Sequence, residues 1–342
     1  MTAPKIVVTS RVHAETLADL EGRGRIVVNR DGTPWPAARL AEEIRDAAAV
    51  MAFMTDRIDA AAVAAAPALR IVSCALKGHD NFDAEACARA GVWVSIVPDL
   101  LTVPTAELTV GLIIGLARHV PAGDRHVRGG AFAGWRPELY GTGLQGSRIG
   151  IIGMGAIGRA IAERLAGFGA DLAYWDRRPA DDAVGFAPGL RRLDRADLFA
   201  TSDILVVALP LTDGTLHLID RAALATVKPG ALLVNPARGS VVDEAAVADA
   251  LAAGRLGGYA ADVFEMEDWA RPDRPRGIDP RLLADRDRTL FTPHLGSAVA
   301  RVRLAIEREA AANIIDVLEG RAPRGAVNRP DAAALGLRAG TA

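Results

Sequence analysis

The stretch RIGIIGMGAIGRAIAERLAGFG, residues 148–169, constrains this chain more than any other. An apolar run leads straight into Gly153, Gly155 and Gly158, spaced G-x-G-x-x-G, and the third glycine already lies inside a helical pattern. Such a strand–turn–helix lets backbone approach a pyrophosphate at the positive end of the helix. The fold that houses it is an open, mostly parallel sheet with helices on both faces.

The rest of the chain follows that plan. DLAYWD (171–176), DILVVALP (203–210), GALLVNPAR (230–238), GGYAADVF (257–264) and TLFTPHLGS (289–297) read as further strands separated by helices. The first hundred residues repeat the architecture without the glycines. KIVVTS (5–10), RIVVN (25–29), AAVMAF (48–53) and RIVSCA (70–75) are buried-strand patterns, and HAETLADLEG and PAARLAEEIRDAA have helical spacing. PDLLTVPTAELTVGLIIGLARHV (98–120) opens with prolines, enters an apolar helix near Thr105 and reads as the connector between domains. Residues 129–147 are glycine-rich with aromatics, hence a loop or arm. RVRLAIEREAAANIIDVLEG (301–320) is amphipathic and is expected to pack on the first domain. The expected fold is α/β, with two Rossmann-like/flavodoxin-like parallel-sheet domains and an active-site cleft between them. Residues 1–100 plus 298–330 form the substrate domain, 101–297 the NAD-binding Rossmann domain, and 331–342 a flexible tail.

Composition narrows the function classes. The 342 residues suffice for two cores, and a formal net charge of −2 argues against general attraction to nucleic acid or anionic membrane. The two cysteines, Cys74 and Cys87, have no metal-ligand spacing and read as small core residues in a reducing compartment. MTAPKIVVTS reads as a first strand rather than a leader, and the apolar region around 100–116 is interrupted by Thr102, Pro104, Thr105 and Glu107. A cytoplasmic protein is expected, with no metal.

Asp176 ends the strand after the glycine motif, where a carboxylate binds ribose hydroxyls and repels the extra phosphate of NADP. Arg177 and Arg178 follow; they are either a solvated turn or a grip on that phosphate. The expected cofactor is NAD, with NADP tolerated. Farther on, Arg238, Glu267 and His294 stand just past successive late strands, where open α/β sheets place ligands. A carboxylate beside an imidazole orients it and makes a general base near neutral pH. His13, His119, His126 and His217 carry no such context and read as structural or surface residues.

GMGAIG, NPARGSVVDEAAV, GGYAADVFEMED and TPHLGSA resemble, in order, the signatures of the D-isomer-specific 2-hydroxyacid dehydrogenases, over residues 45 to 325. The resemblance implies that Arg238 binds the anionic substrate, Glu267 orients the ring and His294 handles the proton. It implies further that Thr105, Gly155, Ala156 and Ile157 face the pyrophosphate, and that Ala208, Leu209, Pro210 and Asp262 flank the nicotinamide. A homodimer is expected by the same resemblance, built on the helix from about Thr105 and the arm after it.

Two features depart from the generic pattern. ALKGHDNFD (75–83) carries Lys77 where that family has a small glycine-rich loop, and Glu267 is followed by Asp268 and Trp269 rather than proline. With MAFMTDRID, VPDLLTVPTAEL, YGTGL and FEMEDWARPDRPR, these resemble one branch of the family, the phosphite dehydrogenases; His79 is a local departure where an aromatic is expected. The charge argument agrees. Phosphite is largely dianionic near neutral pH, and a second cation roughly 4 Å away is worth about 4 kcal/mol at an effective dielectric of about 20, before desolvation. Lys77 with Arg238 supplies it, Lys77 also reaching the cofactor; Gly78, Met54 and Arg303 complete the expected substrate contacts, although Arg303, at the start of the last helix, reads most simply as a helix-surface charge, and Trp135, Tyr140 and Trp269 are candidate aromatic walls or ordinary packing. The alternatives are a D-2-hydroxyacid dehydrogenase or glyoxylate/hydroxypyruvate reductase, and a nicotinamide-sensing corepressor that binds protein.

Overall fold

The computed structural model describes residues 3–180 and 187–331. The expected tail therefore lies, from residue 332 on, outside the described residues. The chain divides into two compact units, Met1–Leu101 with Trp269–Pro272 and Ala298–Ala342, and Thr102–Asp268 with Asp273–Ser297.

The first unit holds five strands, β1 (Lys5–Val8), β2 (Arg25–Val28), β3 (Ala47–Ala52), β4 (Ile71–Cys74) and β5 (Trp93–Ser95). Their order is β2-β1-β3-β4-β5 and every pair is parallel, the flavodoxin-like order. Alternation decides the faces. Val7, Val50, Val72 and Val94 join one buried cluster; Ile6, Val8, Ala49, Met51 and Ile71 join another with Ile306, Ala310 and Ile314 of the helix Ala300–Leu318. That helix is pinned by the Ser73 hydroxyl, which donates to the Ala310 carbonyl at 2.8 Å. Cys74 and Cys87 are fully buried. Two details differ from the sequence reading. Strand β5 was not anticipated, because only three residues of a short apolar run pair with β4 before the chain turns away. Residues 269–272, expected in the second domain, belong to the first unit, where the Ala270 amide donates to Asn81 Oδ1 at 3.1 Å.

The second unit holds β6 (Arg148–Ile152), β7 (Asp171–Trp175), β8 (Arg191–Arg192), β9 (Ile204–Val207), β10 (Ala231–Asn235), β11 (Leu256–Ala261) and β12 (Thr289–Phe291). The order is β12-β11-β10-β9-β6-β7-β8, all parallel. The strand order reverses at β6, which creates the crevice where such sheets bind ligands. Leu112, Ile113 and Leu116 of the helix Thr102–Ala117 pack with Ile149, Ile151, Ile161 and Leu165 in one buried cluster. This helix starts before Thr105, since proline is tolerated in a first turn and Pro104 occupies one. It ends ahead of His119, whose φ of 52° breaks it, and a second helix, Val120–Arg128, follows where the sequence marked no separate element. Among the described residues, no single helix is long and apolar enough to cross a membrane.

Candidate active site

Strand β6 ends at Ile152, and the chain turns on Gly153 at φ 100°. A Cβ there would lie 2.5 Å from the Ala208 carbonyl oxygen and 2.8 Å from a Leu209 methyl, so Ala208 and Leu209, beyond β9, close directly over the turn. A Cβ on Gly158 would lie 2.2 Å from the Gly153 carbonyl oxygen; the missing side chain lets the helix Ala156–Leu165 seat against the turn. Gly155, the exposed residue preceding that helix, has open space around it. Ala156 and Ile157 form its first turn. This open helix N-terminus, cleared of side chains, fits a dinucleotide pyrophosphate.

Asp176 follows β7. Its Oδ2 accepts from the Met154 amide at 2.8 Å and its Oδ1 from the Arg178 amide at 3.1 Å, which fixes the carboxylate beside the glycine turn. Arg177 and Arg178 are exposed. A third arginine, unmarked in the sequence, joins them: Arg192 of β8 donates to the Asp176 carbonyl at 2.9 Å.

The three late strands deliver the catalytic candidates. Arg238 lies three residues past β10, its carbonyl accepting from Asn235 Nδ2 at 2.9 Å and its guanidinium donating to the Ala237 carbonyl at 3.0 Å. Glu267 ends a 3-10 turn, Glu265–Glu267, after β11. Its Oε1 accepts from the Phe264 amide at 2.7 Å while Oε2 meets His294 Nδ1 at 2.8 Å. One carboxylate is thus anchored by backbone and in turn anchors the imidazole, assigning the proton to Nδ1 and leaving Nε2 as the acceptor.

His294 sits at φ 55°, a conformation disfavoured for a residue with a side chain. Asp262, at the end of β11 and almost fully buried, holds it there. The His294 amide donates to the Asp262 carbonyl at 2.8 Å, and the Asp262 carboxylate accepts from Thr292 Oγ1 at 2.5 Å, Leu295 N at 2.7 Å and Gly296 N at 2.8 Å. Burial raises its pKa, with these bonds and His294 pulling the other way. Asp262, expected beside the nicotinamide, is first of all the brace of the histidine turn. Thr105 is brought to the same turn: a Cβ on Gly296 would be 3.0 Å from its hydroxyl.

In the first unit, Met54 lies just past β3 and Lys77 and Gly78 just past β4, all half-buried. Arg303 reaches the same end of that sheet, its guanidinium 6.0 Å from the Phe53 ring and 3.5 Å from the Ala75 carbonyl. Arg303 was read in the sequence as most simply a helix-surface charge, yet burial lowers its pKa and Glu307 raises it. Burial likewise lowers the pKa of Lys77, opposed by Asp99. Trp135 and Tyr140 are 78% and 76% exposed, so neither is core packing; Trp269 is 37% exposed. Among the described residues no group of His, Cys, Asp and Glu is arranged to hold a metal. His217, read as structural or surface, pairs with Glu265 at 2.8 Å.

Comparison with known proteins agrees with this geometry. Residues 110–296 match the model of the D-isomer specific 2-hydroxyacid dehydrogenase NAD-binding domain. The chain is 36% identical over 333 residues to a glyoxylate reductase of Thermofilum pendens, covering 96% of each protein. It is 35% identical to a glyoxylate reductase of Pyrococcus furiosus, over 95% of this chain and 96% of that one. A solved Thermus thermophilus structure superposes with a TM-score of 0.85 at 34% identity, covering 94% of this chain and 99% of that one.

Proposed function

The chain belongs to the D-isomer specific 2-hydroxyacid dehydrogenase family of NAD-dependent oxidoreductases, and from that premise we propose that its own reaction is the oxidation of phosphite to phosphate. NAD, when bound, supplies the hydride acceptor. The hydride leaves phosphorus with its electron pair, a water oxygen bonds to phosphorus, and the water proton goes to Nε2 of His294. Glu267 holds the Nδ1 proton and balances the imidazolium that results. Arg238 and Lys77 bind the phosphite oxygens, which stabilises charge as it builds on the phosphoryl group.

The observation that carries this reading is the pair of half-buried cations, Lys77 and Arg303, at one end of the five-stranded sheet. A monoanionic 2-hydroxy acid does not require that much charge; a phosphorus dianion does. The second reading is reduction of glyoxylate or hydroxypyruvate by the same dyad. The names of the relatives support this second reading better than the first, whereas Lys77 and Trp269 are left unexplained by it. A cytoplasmic homodimer belongs to either reading, and exposed Phe132, Trp135 and Tyr140 on the arm support the dimer.

The test is NADH absorbance with NAD and phosphite, beside D-2-hydroxy acids with NAD, glyoxylate with NADH, and NADP in parallel. Turnover of phosphite, weakened about thirtyfold in Lys77→Ala, is expected. Silence with phosphite and turnover of glyoxylate would put the second reading in its place.

A further inference from the structure

Arg238 and Glu267 stand on two segments that touch. A Cβ on Gly239 would lie 1.9 Å from the Phe264 carbonyl carbon and 2.1 Å from the Glu265 nitrogen, so the residue after Arg238 lacks a side chain because the turn leading to Glu267 occupies its space. Buried carboxylates then stitch the segments together. The Ser240 amide donates to Asp268 Oδ2 at 2.7 Å. The Glu244 amide donates to Glu265 Oε1 at 3.0 Å, and the Glu265 amide donates back to Glu244 Oε1 at 2.8 Å. His217 closes the set, its amide donating to the Ser240 carbonyl at 2.8 Å and its Nε2 meeting Glu265 Oε2 at 2.8 Å. Asp268, Glu244 and Glu265 are 2%, 3% and 7% exposed. Three acids buried this deeply cost the fold free energy, which these hydrogen bonds offset only in part.

We propose that Asp268 is a positioning residue for the active groups: with Glu265 on the other side of Glu267, it clamps the Arg238 segment to the Glu267 turn and fixes the guanidinium and the His294–Glu267 pair at one spacing. The proposal rests on reading Arg238, Glu267 and His294 as the active groups, and not on which anion they turn over. A clamp acts on the reacting geometry, where small displacements cost rate more than binding.

The experiment compares Asp268→Ala, Asp268→Asn and Asp268→Glu in the full chain. It measures kcat and KM separately, on whichever of phosphite and glyoxylate the unaltered protein turns over. It also records the downfield His294 Nδ1–H resonance by NMR without substrate. Asp268→Ala should lower kcat about tenfold with the KM for NAD unchanged, and should broaden the resonance as the pair loosens. Asp268→Asn, whose amide oxygen can still accept from Ser240, should keep both near their original values, and Asp268→Glu should not. An unchanged kcat and sharp resonance in Asp268→Ala would overturn the clamp. If the alanine variant does not fold, equal activity in the asparagine and glutamate variants would overturn it. The resonance is read without substrate, so a wrong substrate assignment leaves this result standing.

Discussion

The two sheets share a plan and carry different kinds of information. Both are parallel, and both place their functional candidates beyond the carboxyl ends of strands. In the second unit those candidates are locked: Glu267 is held by Phe264, His294 by Glu267 and Asp262, and the Arg238 segment by Asp268 and Glu265. In the first unit Lys77, Gly78 and Met54 ride on half-buried loops, and the Lys77 charge is what marks the set. On the proposed reading, the proton-handling groups are held by backbone-bonded acids. On the same reading, the choice of anion would sit on loops that can change without unmaking a sheet.

The largest effect should come from the locked side. His294→Ala should lower kcat by about a thousandfold through loss of the general base, with NAD binding by fluorescence quenching unchanged; a loss of NAD binding instead would make His294 part of the cofactor site. The second effect is on stability. Burial, then the charges of Glu265 and Asp268, push Glu244 up to about 7, while backbone bonds at Glu265 and Asp279 oppose the rise. The same network includes the buried Tyr259 phenol, which is raised in turn by burial and Glu244, and His217 through Glu265. A carboxyl whose pKa is higher folded than unfolded contributes stability below the unfolded value and loses it as pH rises through the folded one. The unfolding free energy from urea titration should therefore fall as pH rises from about 4.5 to about 7, by on the order of 3 kcal/mol from this group. Glu244→Gln should flatten that slope, and an unchanged slope would return Glu244 to ordinary packing.

On the loop side the changes should be smaller and substrate-selective. Lys77→Ala should lower kcat/KM for phosphite about thirtyfold, the scale of one hydrogen bond to a charged group, with the melting temperature unchanged. An equal loss on every substrate and on NAD would erase the contrast between the units. Asp176→Ala should shift the NADP-to-NAD preference about tenfold toward NADP, the scale of one close charge, with Arg177, Arg178 and Arg192 left to meet the phosphate.

The sequence showed most of the second unit because its signals are local. Glycines at fixed spacing, an acid at a strand end, and Arg, Glu and His after apolar runs can be read within a few residues of each other. Its supports could not be read so. Asp262, Glu265 and Glu244 bond to backbone up to 34 residues away, and nothing in their neighbours' identities announces it. Asp268 drew notice only as a departure. Strand β5 is three residues long and declares itself only by pairing with β4. Arg303 looked like a helix-surface charge because one turn of helix does not reveal that its face meets Phe53 and Ala75.

The most direct measurement uses phosphite carrying deuterium on phosphorus, with NAD and the unaltered protein, reading the product cofactor by proton NMR. The account predicts deuterium at the reduced nicotinamide carbon and inorganic phosphate formed in equal amount. Absence of labelled cofactor, together with glyoxylate consumed against NADH, would contradict it and return Lys77 to a loop without an assigned task.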